Sequence, residues 1–475
     1  MKYVLLRLIL VLPTVLIVCV IAFFMSRAVP GDQADAVLLL RGVNPEFSQG
    51  DNPEYSSVYV SEKLHLPLFY FSVLPDFYPE NIRSITNKYR RNTIIALLHQ
   101  KYPFRIIQQF LDERDSFVKL MSGQLNSPDN KSMESGHVLN ADSLNQALYI
   151  LSGMQFAEMP DDITAALRQL EGLMGIQFQQ QSITLKEAVQ NMDHTKRKYY
   201  YPKMYWHGTQ SQFHQWLSGM LKLEMGVSMK DGQPVWNKIV AAMKWTLTLL
   251  VLNLILTLII SVPLGIYSGQ FPGTLFDKWT GITSIALYSI PVFWLASMLI
   301  IFFTTSDYGM KVFDISGIYN FDGSKDFLSA LVRNADHLIL PVICLVLNDI
   351  AYLSRLVRSG FLKEKTNLYG LFARTKGLTE RDVAYKHILP NTLIPLVTLI
   401  AGSIPSALAG TLVVEVIFNI PGMGRLMHNS IFSADWNVVF AILIVISIVT
   451  ALIFLLADLM YIRLNPKIKP GGNEG

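Results

Sequence analysis

The chain has 475 residues, of which 51% are hydrophobic and only 16% are charged, and its mean hydropathy is +0.33. This composition argues against a soluble protein and predicts a membrane protein. The formal net charge of +4 gives no indication of a nucleic-acid partner.

The first apolar run extends from Leu8 to Met25 and follows Lys2 and Arg7. A secretory signal peptide has the same order of features, a basic start followed by an apolar core. This run, however, is longer than the usual core of a signal peptide and approaches the ~20 residues that cross a bilayer. We therefore expect residues 1–31 to contain a retained transmembrane helix.

Residues 32–238 contain no stretch that is long and apolar enough to cross a membrane. A segment of this size can form a compact domain of its own. Its apolar residues recur at helical spacing and predict several amphipathic helices: Ile94, Ile95, Leu97 and Leu98; Phe104, Ile107, Phe110 and Leu111; Leu144, Leu148 and Leu151; Ile163, Leu167, Leu170 and Leu173. Pro103 and Pro160 stand where two of these helices would begin.

The tract from Lys196 to Trp206 mixes basic and aromatic residues. Such a mixture can stack on nucleobases. In a membrane protein it favours an aromatic belt at the bilayer surface instead.

Residues 239–469 carry five further apolar segments, which together with the first predict an all-α membrane protein of about six spans. The segments are Trp245–Tyr267, Gly281–Phe303, Leu338–Leu353, Leu393–Phe418 and Val438–Tyr461. Basic residues concentrate on the side of the N-terminus, including a cluster in residues 355–392. By the positive-inside rule, that loop faces the cytoplasm and residues 32–238 lie outside. Residues 470–475 form a short tail.

The loop between the fourth and fifth predicted spans has the pattern of two short helices around a glycine. Tyr369 to Lys376 lacks helix breakers, and Gly377 suits the left-handed position after a helix. Thr379 and Asp382 fit the capped start of a second helix, which Pro390 is expected to end. A capped helical hairpin is more elaborate than a connection needs, which indicates a docking element.

The pattern Ala373…Gly377…Leu389-Pro390 resembles the EAA loop in the membrane subunits of ABC importers. The longer run ARTKGLTERDVAYKHILPNTLIPLVT is similar to the dipeptide, oligopeptide and nickel branch of that family. Leu371, Phe372 and His387 depart from the general motif, which has Glu, Ala and Ile there. The resemblance covers Met1 to about Phe71 and Phe213 to Lys469, so that residues 72–212 stand as an insertion.

This resemblance implies a type I importer permease of the bacterial inner membrane. Its implied partners are a second related permease, ABC ATPase subunits and an extracytoplasmic solute-binding protein. The implied cargo is a peptide, with nickel chelates or other small solutes as alternatives. The residues implied in coupling to the ATPase are Tyr369, Ala373, Lys376, Gly377, Leu378, Glu380, Arg381, Leu389 and Pro390.

A second segment that resembles the family is Glu415 to Leu426, followed by Asp435 and Trp436. Pro421, Gly422 and Gly424 specify a tight turn, and Arg425 could form an ion pair with Glu415 or with Asp435. Two interpretations stay open: a re-entrant gate or docking edge for the binding protein, and a packed structural turn.

The sequence contains no G-x-x-x-x-G-K-[ST] phosphate loop, so ATP and Mg²⁺ are expected on a partner subunit and no cofactor on this chain. No cluster has the spacing of a metal site. The polar residues within or near spans are Asn253, Asn348, Asp349 and Asp458. Asp349 and Asp458 lie towards the cytoplasmic ends of their spans, where water or a basic neighbour such as Arg355 or Arg463 is available, so structural roles are favoured. The alternative to a transport subunit is a membrane-anchored scaffold that binds a partner through the external helical domain.

Overall fold

The computed structural model describes residues 2–29, 32–43, 53–125, 141–154, 160–173, 178–194, 201–307, 309–313, 317–318, 327–392 and 411–464. The chain divides into two compact units. The first comprises Met1–Val29 and Leu223–Gly475, and the second comprises Pro30–Lys222.

The elements are numbered in chain order. The first helix is α1 (Lys2–Ala28). The second unit contains α2 (Gln33–Leu40), α3 (Pro53–Ser61), β1 (Phe71–Pro75), α4 (Lys88–His99), α5 (Phe104–Leu125), α6 (Ala141–Gly153), α7 (Pro160–Leu173), α8 (Gln179–His194), β2 (Pro202–Trp206) and α9 (Gln212–Leu221). The chain continues with α10 (Val235–Gln270), α11 (Leu275–Ser289), α12 (Val292–Thr304), α13 (Phe327–Arg333), α14 (Ala335–Lys365), α15 (Leu368–Thr375), α16 (Glu380–Asp382), α17 (residues 411–417), α18 (Met423–Phe432) and α19 (Trp436–Leu464).

Four helices of the described residues are long and apolar enough to cross a membrane: Val11–Ala28 of α1, α10, α14 and Trp436–Leu456 of α19. The pair α11 and α12 makes a fifth candidate if it is counted as one span, although it bends by 94°. The bend lies at Pro291, which lacks the N–H that would continue the helix. Most of the predicted span Leu393–Phe418 lies outside the described residues.

The central packing of the membrane unit is that of α10 on α14, which approach closely at two glycines. A Cβ atom added at Gly265 would lie 2.6 Å from Val357 Cβ and 2.7 Å from the Ser354 carbonyl oxygen. At Gly269 it would lie 2.9 Å from the Phe361 ring. Two small residues spaced four apart allow helix backbones to approach within a membrane, where packing drives association.

The second unit contains two strands that the sequence analysis did not predict. β1 and β2 pair antiparallel, from Phe71 opposite Trp206 to Pro75 opposite Pro202. The prolines stand at the end of the ladder because neither can donate a backbone hydrogen bond. This pair holds the two ends of the insertion together. Helices α4 to α8 lie between β1 and β2 in the sequence and are connected at both ends through this two-stranded pair, which we call the β-neck.

The helical nature of the insertion is confirmed. All four groups of periodic apolar residues lie in α4 to α7, and most of them are buried in one core with residues of α8. Pro103 directly precedes α5 and Pro160 begins α7, as predicted. Residues 201–206 of the aromatic tract leave Tyr201, Met204 and Trp206 exposed. Residues 195–200 lie outside the described residues, and the position of this tract at a membrane surface stays a prediction.

Candidate functional site

The segment between α14 and the fifth predicted span is a helical elbow with the caps that the sequence predicts. α15 ends at Thr375, and Gly377 follows at φ +79°, the left-handed conformation that glycine adopts without strain. The Thr379 hydroxyl accepts the Asp382 N–H at 3.2 Å and caps α16. A Cβ atom added at Gly377 would meet nothing within 4 Å, so glycine is required here by conformation and not by crowding within the chain.

The inner face of the elbow packs on the membrane helices. Ala373 is 5% exposed and lies in a cluster with residues of α10, α14 and the segment after α16. The cluster comprises Ile266, Leu353, Val357, Phe361, Ala373, Val383, Ala384 and Ile388. Ala373, which the resemblance implies in coupling to the ATPase, therefore has its close contacts inside this chain.

The outer face of the elbow is apolar and exposed. Leu368, Leu371 and Phe372 are 83%, 56% and 62% exposed, and they form one stripe of α15 because Leu371 and Phe372 lie three and four residues after Leu368. Leu378 and Tyr385 are also exposed. The sequence analysis noted Leu371 and Phe372 only as departures from a motif, although the spacing of the stripe was available in the sequence.

Polar contacts stabilise the elbow internally and against the end of α14. Arg374 donates to Glu380 at 2.9 Å and joins α15 to α16 across Gly377. The Tyr369 hydroxyl donates at 2.6 Å to Glu364, near the end of α14. Lys386 lies 2.7 Å from Asp382, and this ammonium together with the Thr379 hydroxyl lowers the pKa of the Asp382 carboxyl.

The prediction that Pro390 ends the second helix is wrong. Helical structure continues from α16 to residue 392, and Val383–Ile388 adopts a π-helical turn. In that turn the Leu389 N–H donates to the Ala384 carbonyl, five residues earlier. The wider turn relieves the clash that a proline ring makes with the carbonyl four residues before it in an α-helix.

The structure brings the other predicted coupling residues to this elbow in two groups. Lys376, Leu378, Arg381 and Pro390 are exposed, and the Lys376 ammonium lies over the Phe372 ring. Leu389 is partly buried against the inner cluster.

The turn after α17 is built around one buried carboxylate. Glu415 is fully buried, and its two oxygens accept the Thr246 hydroxyl at 2.7 Å, the Gly424 N–H at 2.7 Å and the Arg425 N–H at 3.1 Å. The Met423 N–H donates in turn to Thr246 at 2.8 Å. Glu415 and Thr246 thus satisfy the free N–H groups at the start of α18, which has no side-chain cap from its own N-cap residue Gly422.

The glycines of this turn are required because the Glu415 carboxylate and the backbone of α17 lie so close. A Cβ atom at Gly422 would lie 2.3 Å from Glu415 Cδ, and one at Gly424 would lie 2.4 Å from Leu412 Cα. The predicted ion pair of Arg425 is wrong. Its guanidinium donates to the Asn419 carbonyl at 3.1 Å, and only its backbone reaches Glu415.

Asp435 forms hydrogen bonds with a different segment, at residues 228 and 229. It is 1% exposed and accepts the Ser228 hydroxyl at 2.5 Å and the Met229 N–H at 3.0 Å. The structure therefore places Glu415 and Asp435 in separate networks. Pro421 and Trp436 are both partly buried.

Two further polar contacts lie between membrane helices. Asn253 of α10 donates to Asp349 of α14 at 2.6 Å, in place of the Arg355 neighbour that the sequence suggested. Asp277 of α11 is 7% exposed and accepts Arg358 of α14 at 2.5 and 2.8 Å, together with the Gly273 N–H at 2.9 Å. The sequence analysis missed Asp277 because its partner is 81 residues away. The Asp458 side chain lies outside the described residues.

Comparisons with known proteins indicate the family of the chain. Residues 261–470 match the family described as binding-protein-dependent transport system inner membrane component. The chain is 33% identical over 259 residues to the oligopeptide transport system permease protein AppB of Bacillus subtilis, covering 54% of this chain and 80% of the relative. It is 30% identical over 279 residues to the dipeptide transport system permease protein DppB of Escherichia coli K12, with the same coverage.

Among solved structures, the crystal structure of an amino acid ABC transporter with histidines is similar at 16% identity and a TM-score of 0.34, covering 48% of this chain and 94% of the other. The family match spans both the elbow and the turn. The chain therefore belongs to the peptide family of ABC importer permeases, the inner membrane components of binding-protein-dependent transport systems.

Proposed function

We propose that this permease subunit lines the path of an ATP-driven importer and couples to a separate ATPase through residues 368–392. The observation that carries the proposal is the exposed apolar stripe Leu368, Leu371 and Phe372 on an elbow whose opposite face is buried. Exposed apolar side chains that are held on a rigid helix favour a protein docking site. The ATPase is the partner that the family supplies.

The contacts of the elbow suggest how movement would be transmitted. α15 packs through Ala373 on a cluster that includes Ile266 of α10 and Val357 of α14. The same two helices interlock at Gly265 and Gly269. A displacement of the docked elbow would therefore move α10 and α14 together as a rigid body.

The proposed cargo is a peptide or a similar small solute. The relatives bear the names of oligopeptide and dipeptide transport permeases. A nickel chelate is the alternative cargo, because the coupling loop resembles the dipeptide, oligopeptide and nickel branch of the family. The remaining proposed partners are a second permease of the same family and an extracytoplasmic solute-binding protein. We place the N-terminus and the elbow in the cytoplasm, because basic residues concentrate near the elbow.

For the insertion, we propose an external position in which it contacts the binding protein or shields the entrance of the path. The basis is its construction: five helices with their own core, joined to the rest of the chain through one β-neck.

The test is capture of the ATPase by the tagged chain from its native membrane, with the captured proteins identified by mass spectrometry. The Phe372→Asp variant should lose the ATPase, because a charge replaces the centre of the stripe. Phe432→Asp is the matched control, since Phe432 is 81% exposed on α18, away from the elbow. Capture of an ATPase by Phe372→Asp at the unaltered level would contradict the coupling proposal.

A further inference from the structure

A cavity of about 870 Å³ opens between α11 and α14. It belongs neither to the elbow nor to the turn around Glu415. Its lining combines two chemistries: the basic residues Lys278 and Arg355, and the apolar or aromatic residues Ile282, Ile285, Tyr288 and Tyr352.

The two basic residues have no acidic partner within the described part of the chain. The cavity wall does contain a carboxylate, Asp277, but Arg358 neutralises it through two hydrogen bonds of 2.5 and 2.8 Å. Lys278 and Arg355 are both exposed. The cavity therefore presents two uncompensated positive charges, which fit an anion.

The rest of the wall fits hydrocarbon. Ile282 and Ile285 are 59% and 57% exposed, and they follow Lys278 along α11 at helical spacing. Tyr288 continues this surface at 58% exposure. A small soluble anion would occupy the basic end and leave these side chains uncovered. A ligand with an anionic head and an acyl chain would cover both parts.

We infer that this cavity binds an anionic phospholipid. The phosphate lies between Lys278 and Arg355, and an acyl chain runs along Ile282 and Ile285. Basic pockets between membrane helices have the chemistry that anionic lipid head groups require. The long side chains of Lys278 and Arg355 can keep their charges at the level of the head groups while their stems cover apolar surface.

The site lies on the half of α14 that leads to the elbow, since α14 ends at Lys365. A bound lipid would contact both α11 and α14 and would add to the link between them that Asp277 and Arg358 form. The inference requires only a membrane-embedded chain and does not depend on the proposed coupling to an ATPase.

The test measures lipid retention by the purified full-length chain with native mass spectrometry, in micelles that contain equal amounts of phosphatidylglycerol and phosphatidylcholine. The unaltered chain should retain phosphatidylglycerol preferentially. Lys278→Gln and Arg355→Gln should each weaken retention about fivefold, and the double variant about thirtyfold. Lys363→Gln is the matched control, because Lys363 is exposed on the same helix but does not line the cavity.

A second variant separates a cavity from diffuse surface charge. Gly281 lines the cavity, and a Cβ atom added there would meet nothing within 4 Å, so Gly281→Leu extends a side chain from the cavity wall and leaves both cations in place. It should abolish preferential retention. The melting temperature of each variant should stay that of the unaltered chain, which shows that the fold is intact.

Four results would overturn the inference. The first is equal retention of the two lipids by the unaltered chain, and the second is undiminished retention of phosphatidylglycerol by the double variant. The third is cross-linking of an Ile285→Cys variant to a second permease, since that protein would then cover the cavity in place of lipid. Displacement of the lipid by inorganic phosphate at equal concentration would also contradict the lipid assignment and favour a soluble anion.

Discussion

The Glu415 carboxylate lies 2.7 Å from the backbone nitrogen of Gly424 and caps α18 from a different helix. Nine residues separate the two in sequence, and the sharp turn between them is possible because Gly422 and Gly424 have no side chains. Thr246 of α10 completes the cap. This arrangement gives the turn a structural role in holding α10, α17 and α18 together. A role of the same turn as a gate, or as a docking edge for the solute-binding protein, stays a prediction.

Replacement of Glu415 by Gln should destabilise the chain by about 1 to 3 kcal/mol. A Gln side chain keeps one acceptor oxygen but turns an NH₂ group toward buried donors, and an unsatisfied buried donor costs about that much. The measurement is the thermal unfolding midpoint of the purified chain in detergent. Glu380→Gln is the control, because Glu380 is exposed. Equal midpoints for the two variants would contradict the capping role.

Replacement of Gly424 by Ala should also lower the unfolding midpoint, because the new methyl group would lie 2.4 Å from Leu412 Cα and the backbone would have to shift. Overpacking of this kind costs about 1 to 3 kcal/mol. The control is Gly281→Ala, where the methyl group meets no atom within 4 Å. That variant should unfold at or slightly above the midpoint of the unaltered chain. A common fall in both variants would point to a general sensitivity to added volume.

Replacement of Gly377 should follow backbone conformation and not side-chain size. Asn tolerates φ near +79° better than Ala does, so Gly377→Asn should retain more ATP-driven uptake than Gly377→Ala. The assay is uptake in proteoliposomes that contain the complete transporter. If uptake falls in the order of side-chain volume, contact with a partner is the controlling factor. Indifference to both substitutions would favour the membrane-anchored scaffold.

Replacement of Asp277 by Asn should destabilise the membrane unit by about 2 to 3 kcal/mol, because it removes a charged partner of Arg358 and weakens the acceptor for Gly273. The midpoint of thermal unfolding measures this loss. Asp336→Asn is the control, since the Asp336 side chain is 55% exposed. An unchanged midpoint for Asp277→Asn would show that the link between α11 and α14 does not limit stability.

The features that the sequence predicted correctly are local. Gly377 in the left-handed conformation and Thr379 as a helix cap depend on neighbours within a few residues, and so do the periodic helices of the insertion. Pro390 was misjudged because a π-helical turn just before it accommodates the ring. This turn replaces the regular ladder on which the prediction relied.

The features that sequence reasoning missed depend on distant partners. Thr246 and Glu415 are 169 residues apart, and Arg358 is 81 residues from Asp277. Phe71 and Trp206 pair across the entire insertion. A single sequence shows charges and their spacing, but it does not show which segments come into contact. Arg425 was therefore paired with carboxylates that are close in the sequence, whereas in the structure it donates to the Asn419 carbonyl.

Excision of the insertion should separate transport from coupling. Leu74 pairs with Lys203, so an Asn-Gly turn between them can replace residues 75–202 and keep the neck as a short hairpin. The membrane unit has its own packing and should fold and still capture the ATPase. If the insertion contributes about 1.4 kcal/mol to docking of the solute-binding protein, uptake that depends on this protein should fall about tenfold. Unchanged uptake and binding-protein affinity would exclude that role, whereas loss of ATPase capture would show that the excision had damaged the membrane unit itself.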